Sequence, residues 1–203
     1  MGRRLFGSGL TAVALAAALS ACDRLLGGDA QASFKGIDIT GAPYGSGFAL
    51  TDFNGQARTL ADYRGKVVML YFGFVQCPDV CPTALARASA VMQQLGADAA
   101  RVQLLFVTVD PERDTPALLR DYLSAFNPSF MALTGSAENI KAAADGFRVY
   151  YKKIPTGSSY TMDHTALTYL IDPQGRIRVA LRHEQSAEDY AADVRSLLAE
   201  PGV

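Results

Sequence analysis

Two cysteines set four positions apart are the residues of this chain best suited to chemistry. Cys77 and Cys81 stand in the run Cys-Pro-Asp-Val-Cys-Pro, at the predicted start of a helix. Positions i and i+4 share a helical face, so both sulfurs can reach one metal ion or each other. A helix N-terminus also lowers a thiol pKa, and the thiolate is the form that binds metal or attacks a disulfide. The pair therefore predicts metal binding or reversible thiol–disulfide chemistry.

A structural disulfide is the alternative for this pair, because disulfides are common in exported proteins. A bridge that closes so short a loop adds little stability through chain entropy, which favours the reversible chemistry. Thioredoxin-type dithiols have two residues between their cysteines, whereas three residues separate Cys77 from Cys81. The wider spacing suits a chelated metal better than rapid resolution of a mixed disulfide.

Each of the two histidines is a candidate further ligand. His164 is expected in a loop just before a strand, and the predicted sheet brings this loop towards the helix start. His183 lies in a polar junction before the last predicted helix, which is typical of a solvated surface residue. Two sulfurs and one imidazole suit copper, particularly Cu(I), and hold Cu(II) when a supplementary ligand is present. A closed zinc site would need four ligands and therefore His183 as well.

Other polar or soft residues lie close to the predicted site. Asp110, Arg113 and Asp114 follow a predicted strand, and either Asp114 or Thr115 is expected to cap the next helix. A capped turn that leads into the helix is enough to explain these three residues. The alternative is that their side chains orient the metal ligands. Met162 is a candidate soft ligand, although packing explains it equally well.

The elements that must position these residues alternate between strands and helices. Residues 66–75 are nearly all apolar and rich in β-branched and aromatic types, which predicts a central strand covered on both faces. A helix from about Thr83 to Leu95 and a buried strand over 102–109 follow it. The other predicted elements are a short strand over 34–40, a hairpin turning at Asn54-Gly55, a helix from Pro116, a strand over 130–134, a helix over 136–145, an extended stretch over 149–151, an antiparallel edge hairpin over 166–171 and 177–181, and a helix over 187–199.

The order of these elements predicts the fold class. A βαβ crossover, a further helix and a closing hairpin plus helix is the thioredoxin order. We therefore expect an α/β fold, a thioredoxin-like mixed sheet flanked by helices, with an N-terminal β-hairpin extension. The cysteine pair then follows the first core strand at the mouth of the next helix.

The composition excludes several classes of protein. The chain has 203 residues, 49% hydrophobic and 19% charged, so one ordinary domain can bury a proper core. The formal net charge of −1 leaves no basic face for nucleic acid. Only roughly the first twenty residues are continuously apolar, which excludes a polytopic membrane protein.

The beginning of the chain is typical of an exported lipoprotein. Residues 1–21 combine an arginine pair with an apolar run that ends in small residues, which predicts a signal peptide. Leu19-Ser20-Ala21-Cys22 has the pattern of a bacterial lipobox, in which cleavage precedes Cys22 and lipid is attached to its thiol. The alternative is that the apolar run stays uncleaved as a membrane anchor. Both interpretations place the rest of the chain outside the cytoplasm.

Two segments are expected after the signal peptide. Residues 22–33 predict a lipid-anchored flexible tether, because they are polar and rich in glycine. Residues 34–203 predict the globular, copper-binding domain. Asp23 directly follows the lipid-bearing cysteine, and in enteric lipoproteins an aspartate at that position favours retention in the inner membrane. The expected location is therefore the periplasmic face of the bacterial inner membrane.

Six short blocks of sequence point to one protein family. The blocks are Tyr71-Phe72-Gly73-Phe74, Cys77-Pro78-Asp79-Val80-Cys81-Pro82, Val109-Asp110-Pro111-Glu112-Arg113-Asp114-Thr115, Leu133-Thr134-Gly135, Arg148-Val149-Tyr150-Tyr151 and Asp163-His164-Thr165. They resemble, in the same order, the Sco/SenC family of copper proteins. The combination is far more specific than the cysteine motif alone.

This resemblance implies a thioredoxin-like fold with a hairpin insertion, and a copper ion, Cu(I) or Cu(II), held by Cys77, Cys81 and His164. It implies a membrane-tethered copper chaperone, rather than an enzyme, that assists assembly of the copper site of cytochrome c oxidase. The expected partners are the copper-bearing subunit of the oxidase, other periplasmic copper chaperones or thiol reductases, and the membrane through the lipid anchor. No nucleic acid is expected.

Three other functions use the same residues. A thiol–disulfide oxidoreductase would reduce the cysteines of the oxidase copper site through Cys77 and Cys81. A redox or copper sensor would need the same site. Peroxiredoxins share the fold, but the approach to Cys77 lacks the proline–threonine pair that precedes their reactive cysteine. His164 separates the first alternative from the chaperone, because dithiol exchange tolerates its loss and copper retention does not.

Overall fold

The computed structural model describes residues 33–200. The signal peptide predicted for residues 1–21, the lipid attachment at Cys22 and the tether up to residue 32 lie outside the described residues. Within 33–200, the structure contains no helix that is both long enough and apolar enough to cross a membrane.

The predicted central strand, β4 (Val67–Gly73), is buried along its whole length. It pairs in parallel with β5 (Val102–Thr108), in a register that sets Gly73 opposite Thr108. On its other side it pairs antiparallel with β9 (Thr168–Ile171). Both faces of β4 are covered, which is why its sequence shows an unbroken apolar run and no alternation. The mixed sheet predicted from the order of elements is therefore confirmed.

The other strands of the main sheet are β1 (Ile37–Asp38), β2 (Ala49–Asp52), β3 (Ala57–Thr59), β6 (Met131–Thr134) and β10 (Ile177–Leu181). Over residues 33–200 this sheet has eight strands in the order β1-β10-β9-β4-β5-β6-β2-β3. The hairpin of β2 and β3 turns at Asn54-Gly55 as predicted, with Gly55 at a φ of +80°. It joins the sheet where β2 pairs with β6, and so forms the predicted N-terminal extension. The hairpin of β9 and β10 lies one strand in from the edge, because β1 covers β10.

In the described part of the chain, four α-helices cover the sheet, namely α1 (Val80–Leu95), α2 (Pro116–Ser124), α3 (Ala137–Gly146) and α4 (Ala187–Ala199). The last of these has the predicted bounds. Helix α1 begins at Val80, earlier than the predicted start at Thr83, so Cys81 lies in its first turn. Pro82 does not prevent this start, because N–H groups of the first turn have no acceptor within the helix.

A second, two-stranded sheet was not located by the sequence prediction. It consists of β7 (Tyr151–Thr156) and β8 (Ser159–His164), which we call the 151–164 hairpin. His164 is therefore the last residue of a strand and is not in the expected loop. Most side chains of the two strands are exposed or half-buried, so neither strand shows the alternation by which a half-buried strand is predicted.

Candidate metal centre

Three separate elements bring Cys77, Cys81 and His164 together. Cys77 lies in the loop after β4, Cys81 in the first turn of α1, and His164 at the end of β8. Their ligand atoms all lie within 4.8 Å of one another, and the Cys81 Sγ is 3.4 Å from the His164 Nε2. Among residues 33–200 this is the only such group of three or more His, Cys, Asp and Glu side chains. His183 does not belong to it, so the described residues do not assemble the four-ligand zinc alternative.

The two sulfurs differ in their access to solvent and in their protonation. Neither cysteine is in a disulfide; Cys77 is 9% exposed and Cys81 is fully buried. A hydrogen bond from the Cys81 thiol lowers the pKa of Cys77 to about 4, against the effect of burial. Because Cys81 donates that hydrogen bond and is buried, its own pKa is raised. Without metal, the pair is therefore one outer thiolate beside one inner thiol.

The orientation of the His164 ring follows from its neighbours. Its Nδ1 lies 3.1 Å from the backbone oxygen of Thr165, and a carbonyl can only accept a hydrogen bond, so Nδ1 carries the proton. The lone pair of Nε2 then faces Cys81. The edge-to-face packing of Tyr71 and Phe74, at centroid distances of 6.1 and 5.8 Å, fixes the plane of the ring. His164 is therefore oriented as a ligand before any metal arrives.

Two residues of β4 shape the space around Cys81. The buried Tyr71 hydroxyl lies 3.8 Å from the Cys81 Sγ and donates a hydrogen bond to it. Gly73 has no side chain where one would collide, since a Cβ there would be 2.9 Å from the Cys81 Sγ and equally close to Tyr71 and Phe106. Neither role was predicted from the sequence. Both residues belong to Tyr71-Phe72-Gly73-Phe74, one of the blocks that carry the family resemblance. Only that resemblance could have indicated them from the sequence.

Gly73→Ala should lower the free energy of unfolding by about 1–3 kcal/mol, because the added methyl group overpacks the contact with Cys81. Urea unfolding of the reduced protein measures this change. Gly146→Ala is the matched control. A Cβ at Gly146 would lie 3.6 Å from its nearest neighbour, the backbone oxygen of Gly47, so stability should be unchanged or slightly higher. Equal effects of the two substitutions would contradict the close packing at Gly73.

Comparison with known proteins agrees with the resemblance read from the sequence. The family model described as SCO1/SenC matches residues 38–199. Protein SCO2 homolog, mitochondrial, from Bos taurus is 42% identical over 156 residues, which cover 75% of this chain and 59% of that protein. Protein SCO2, mitochondrial, from Saccharomyces cerevisiae is 40% identical over 155 residues, which cover 74% of this chain and 52% of that protein. The chain thus spans little more than half the length of these curated relatives.

Solved structures show the same fold. Bradyrhizobium japonicum ScoI with copper bound has 44% sequence identity and a TM-score of 0.71, over 76% of this chain and 99% of that one. Yeast Sco1 with copper bound has 34% identity and a TM-score of 0.71, over 78% of this chain and 90% of that one. The predicted thioredoxin-like fold is confirmed. The family model, these relatives and these structures together establish that the chain belongs to the SCO1/SenC family.

Proposed function

We propose that this protein is a membrane-tethered copper chaperone that carries one copper ion on Cys77, Cys81 and His164 and assists assembly of the copper site of cytochrome c oxidase. The observation that carries the proposal is the convergence of two sulfurs and one imidazole nitrogen within 4.8 Å. Two related structures, ScoI of Bradyrhizobium japonicum and yeast Sco1, are described with copper bound.

The donor set fits copper on chemical grounds. Soft thiolates and an imidazole are the ligands that Cu(I) prefers, and Cu(II) is also accommodated when a further ligand is added. Cys77 is already a thiolate, so Cys81 is the group that must release a proton when metal binds. The Nε2 lone pair of His164 faces the same space. Copper is the cargo in this proposal. Two of its three ligands, the Cys77 thiolate and the His164 Nε2, are in the protonation state that binds metal before copper arrives.

The position of the site supports transfer to another protein. Cys77 is the outer sulfur and His164 is half-buried, so a partner's ligands can approach from their side. Three protein ligands also leave room for an incoming one. The lipobox at Cys22 and the tether that follows support the location, the periplasmic face of the inner membrane, where lipid would hold the chain beside a membrane-bound oxidase.

Thiol–disulfide exchange is the second candidate function, and the Cys77 pKa of about 4 favours it. The Cys77 thiolate would attack a disulfide of the partner and form a mixed disulfide. Cys81, after losing its proton, would then displace the partner's sulfur as a thiol. The products are a reduced partner and a Cys77–Cys81 disulfide, which another periplasmic dithiol must reduce before the next cycle.

An anaerobic transfer assay separates the two functions. The acceptor is the isolated copper-bearing domain of the oxidase, supplied metal-free with its cysteines either reduced or oxidised. We expect the copper-loaded chain to deliver copper to the reduced acceptor, as measured by the copper content of the acceptor after the two proteins are separated. With a competing chelator present, His164→Ala should lose its weakly held copper to the chelator and deliver less of it to the acceptor. His183→Ala, the matched control, should deliver as much as the unchanged chain. If copper does not move, but the copper-free chain reduces the oxidised acceptor, the oxidoreductase function replaces the chaperone.

A further inference from the structure

The loop between β5 and α2, residues 109–115, is not used by the proposed function, although it touches both halves of the site. The helix cap that the sequence left open between two residues is Thr115, whose Oγ1 accepts a hydrogen bond from the Leu118 N–H. Asp114 is therefore free of the capping role. Its buried carboxylate accepts hydrogen bonds from the Thr108 hydroxyl at 2.6 Å and from the Val75 N–H at 3.2 Å. Val75 lies two residues before Cys77, so this end of the loop is attached to the cysteine side of the site.

The other end of the loop holds Tyr160, on strand β8. The Arg113 guanidinium stacks 3.7 Å from the centroid of the Tyr160 ring and donates a hydrogen bond to the Tyr160 backbone oxygen at 2.8 Å. The Tyr160 hydroxyl donates to Asp110 at 2.9 Å, and Asp110 also forms an ion pair with Arg113. These three residues close a ring of contacts, which we call the Arg113–Tyr160 clamp.

The clamp acts on the strand that carries His164. Tyr160 and His164 are four residues apart on one strand, so they lie on the same face of it. Among the strands that the structure describes, those of the 151–164 hairpin pair only with each other and not with the main sheet. A cavity of about 190 Å³ lies between the hairpin and the loop, and Met162 lines it. The hairpin is therefore held against the loop by the buried side chain of Met162 together with the polar and stacking contacts of the clamp.

We infer that Arg113 is a positioning residue for copper binding, which holds His164 at the cysteine pair through Tyr160. The inference rests on the proposed role of His164 as a ligand. Arg113 reaches Tyr160 with one planar group that both stacks and donates, a combination that lysine does not offer. Without the clamp, the hairpin would keep its junctions with the main chain, the packing of Met162 and Tyr151, and the contacts of Lys153 with Glu112 and the Tyr160 ring. These contacts do not fix the Tyr160 backbone, which Arg113 binds directly. His164 would then reach the copper ion in only part of the population.

A double-mutant cycle between Arg113→Ala and His164→Ala tests this inference on the full chain. Affinity for Cu(I) is measured anaerobically by competition with a chromophoric chelator. We expect Arg113→Ala to weaken binding by about 10- to 100-fold, the usual cost of losing a residue that orients a ligand. In the His164→Ala background the same substitution should have no effect, since the imidazole it positions is absent.

Two further measurements keep the test independent of folding. Arg113→Lys keeps the charge beside Asp110 but loses the stack, and it should weaken Cu(I) binding as Arg113→Ala does. The Cu(II) form of both variants should show weaker nitrogen couplings in pulsed EPR than the wild type. Arg120→Ala is the matched control, because Arg120 also stacks on an aromatic ring, that of Phe53, without touching the site. It should bind copper like the wild type.

Each outcome of the cycle has a defined meaning. An Arg113→Ala effect that persists in full in the His164→Ala background would show that Arg113 acts on the cysteines or on the fold, and would overturn the inference. Unchanged affinity and unchanged nitrogen couplings in both Arg113 variants would do the same. If His164→Ala itself leaves the affinity unchanged, the proposed ligand set is wrong, and the inference that rests on it is wrong too.

Discussion

Replacing either cysteine of the pair with serine should lower the affinity for Cu(I) by at least about a thousandfold, and His164→Ala should lower it by about a hundredfold. The cysteine variants lose a charged, soft ligand and leave only one sulfur. The histidine variant keeps both sulfurs, on which Cu(I) can still be held, so its loss is smaller. All three residues contribute their ligand atoms to the same cluster of the structure.

Copper retained per chain under a competing chelator measures this ranking. Reduced protein is loaded anaerobically, and the chelator concentration is varied until half of the copper is lost. Two matched controls use the remaining residues of the same types, Cys22→Ser and His183→Ala, and both should behave like the wild type. Copper binding that ignores His164, or that survives Cys77→Ser, would contradict the proposed ligands. A loss in His183→Ala would show a ligand that the structure does not bring to the cluster.

Cys77 should react with iodoacetamide at a nearly constant rate from about pH 5 to pH 8, because its pKa is lowered to about 4. The thiolate forms as the pH rises through the pKa, so the reactive form is already complete at pH 5. An ordinary cysteine, with a pKa of about 8.5, would instead react about ten times faster for each pH unit over that range. Cys81, whose pKa is raised, should stay unmodified in the folded protein.

Tandem mass spectrometry of the tryptic peptide over residues 67–87 assigns the label to one cysteine or the other. The Cys81→Ala variant is the informative comparison. It removes the thiol hydrogen bond that is the main cause of the low Cys77 pKa, so the onset of alkylation should move to higher pH. Urea-unfolded protein is the control in which both cysteines should titrate normally. A Cys77 rate that climbs steadily to pH 8 in the folded protein, or earlier labelling of Cys81, would contradict the assigned roles.

Much of the fold could be predicted, because its elements carry strong local signals. Strand β4 is marked by an unbroken apolar run, and helix α4 by its N-cap and by the helical period of its apolar residues. Each of these signals lies within one continuous segment of the sequence. The turn at Asn54-Gly55 needs a residue that tolerates positive φ, and Gly55 supplies it. The main difference was the 151–164 hairpin, whose polar strands pair with each other and not with the buried sheet. No periodicity marks such a pair.

The residues of the candidate site were also predicted only in part. The chemistry and spacing of Cys77 and Cys81, and a histidine in a matching block, were sufficient to name from the sequence the three candidate ligands that the structure brings together. The contacts of Tyr71 and Gly73 with Cys81 were not predictable, because they join a strand to a helix across positions that look like ordinary core. The capping role of Thr115 and the buried contacts of Asp114 were also indistinguishable in sequence, since either residue type can cap a helix.

The sequence by itself thus determined which atoms can do chemistry here: two thiols at helical spacing, one imidazole, and a sheet strand that leads into them. Only the tertiary structure decided how those atoms differ. It placed Cys81 in the interior as a hydrogen-bond donor to Cys77, turned the Nε2 of His164 towards Cys81, and set the Arg113–Tyr160 clamp on the strand that carries the histidine. The physical reason is that hydrogen bonding, burial and stacking are relations between distant segments, and a pattern along one chain does not record them.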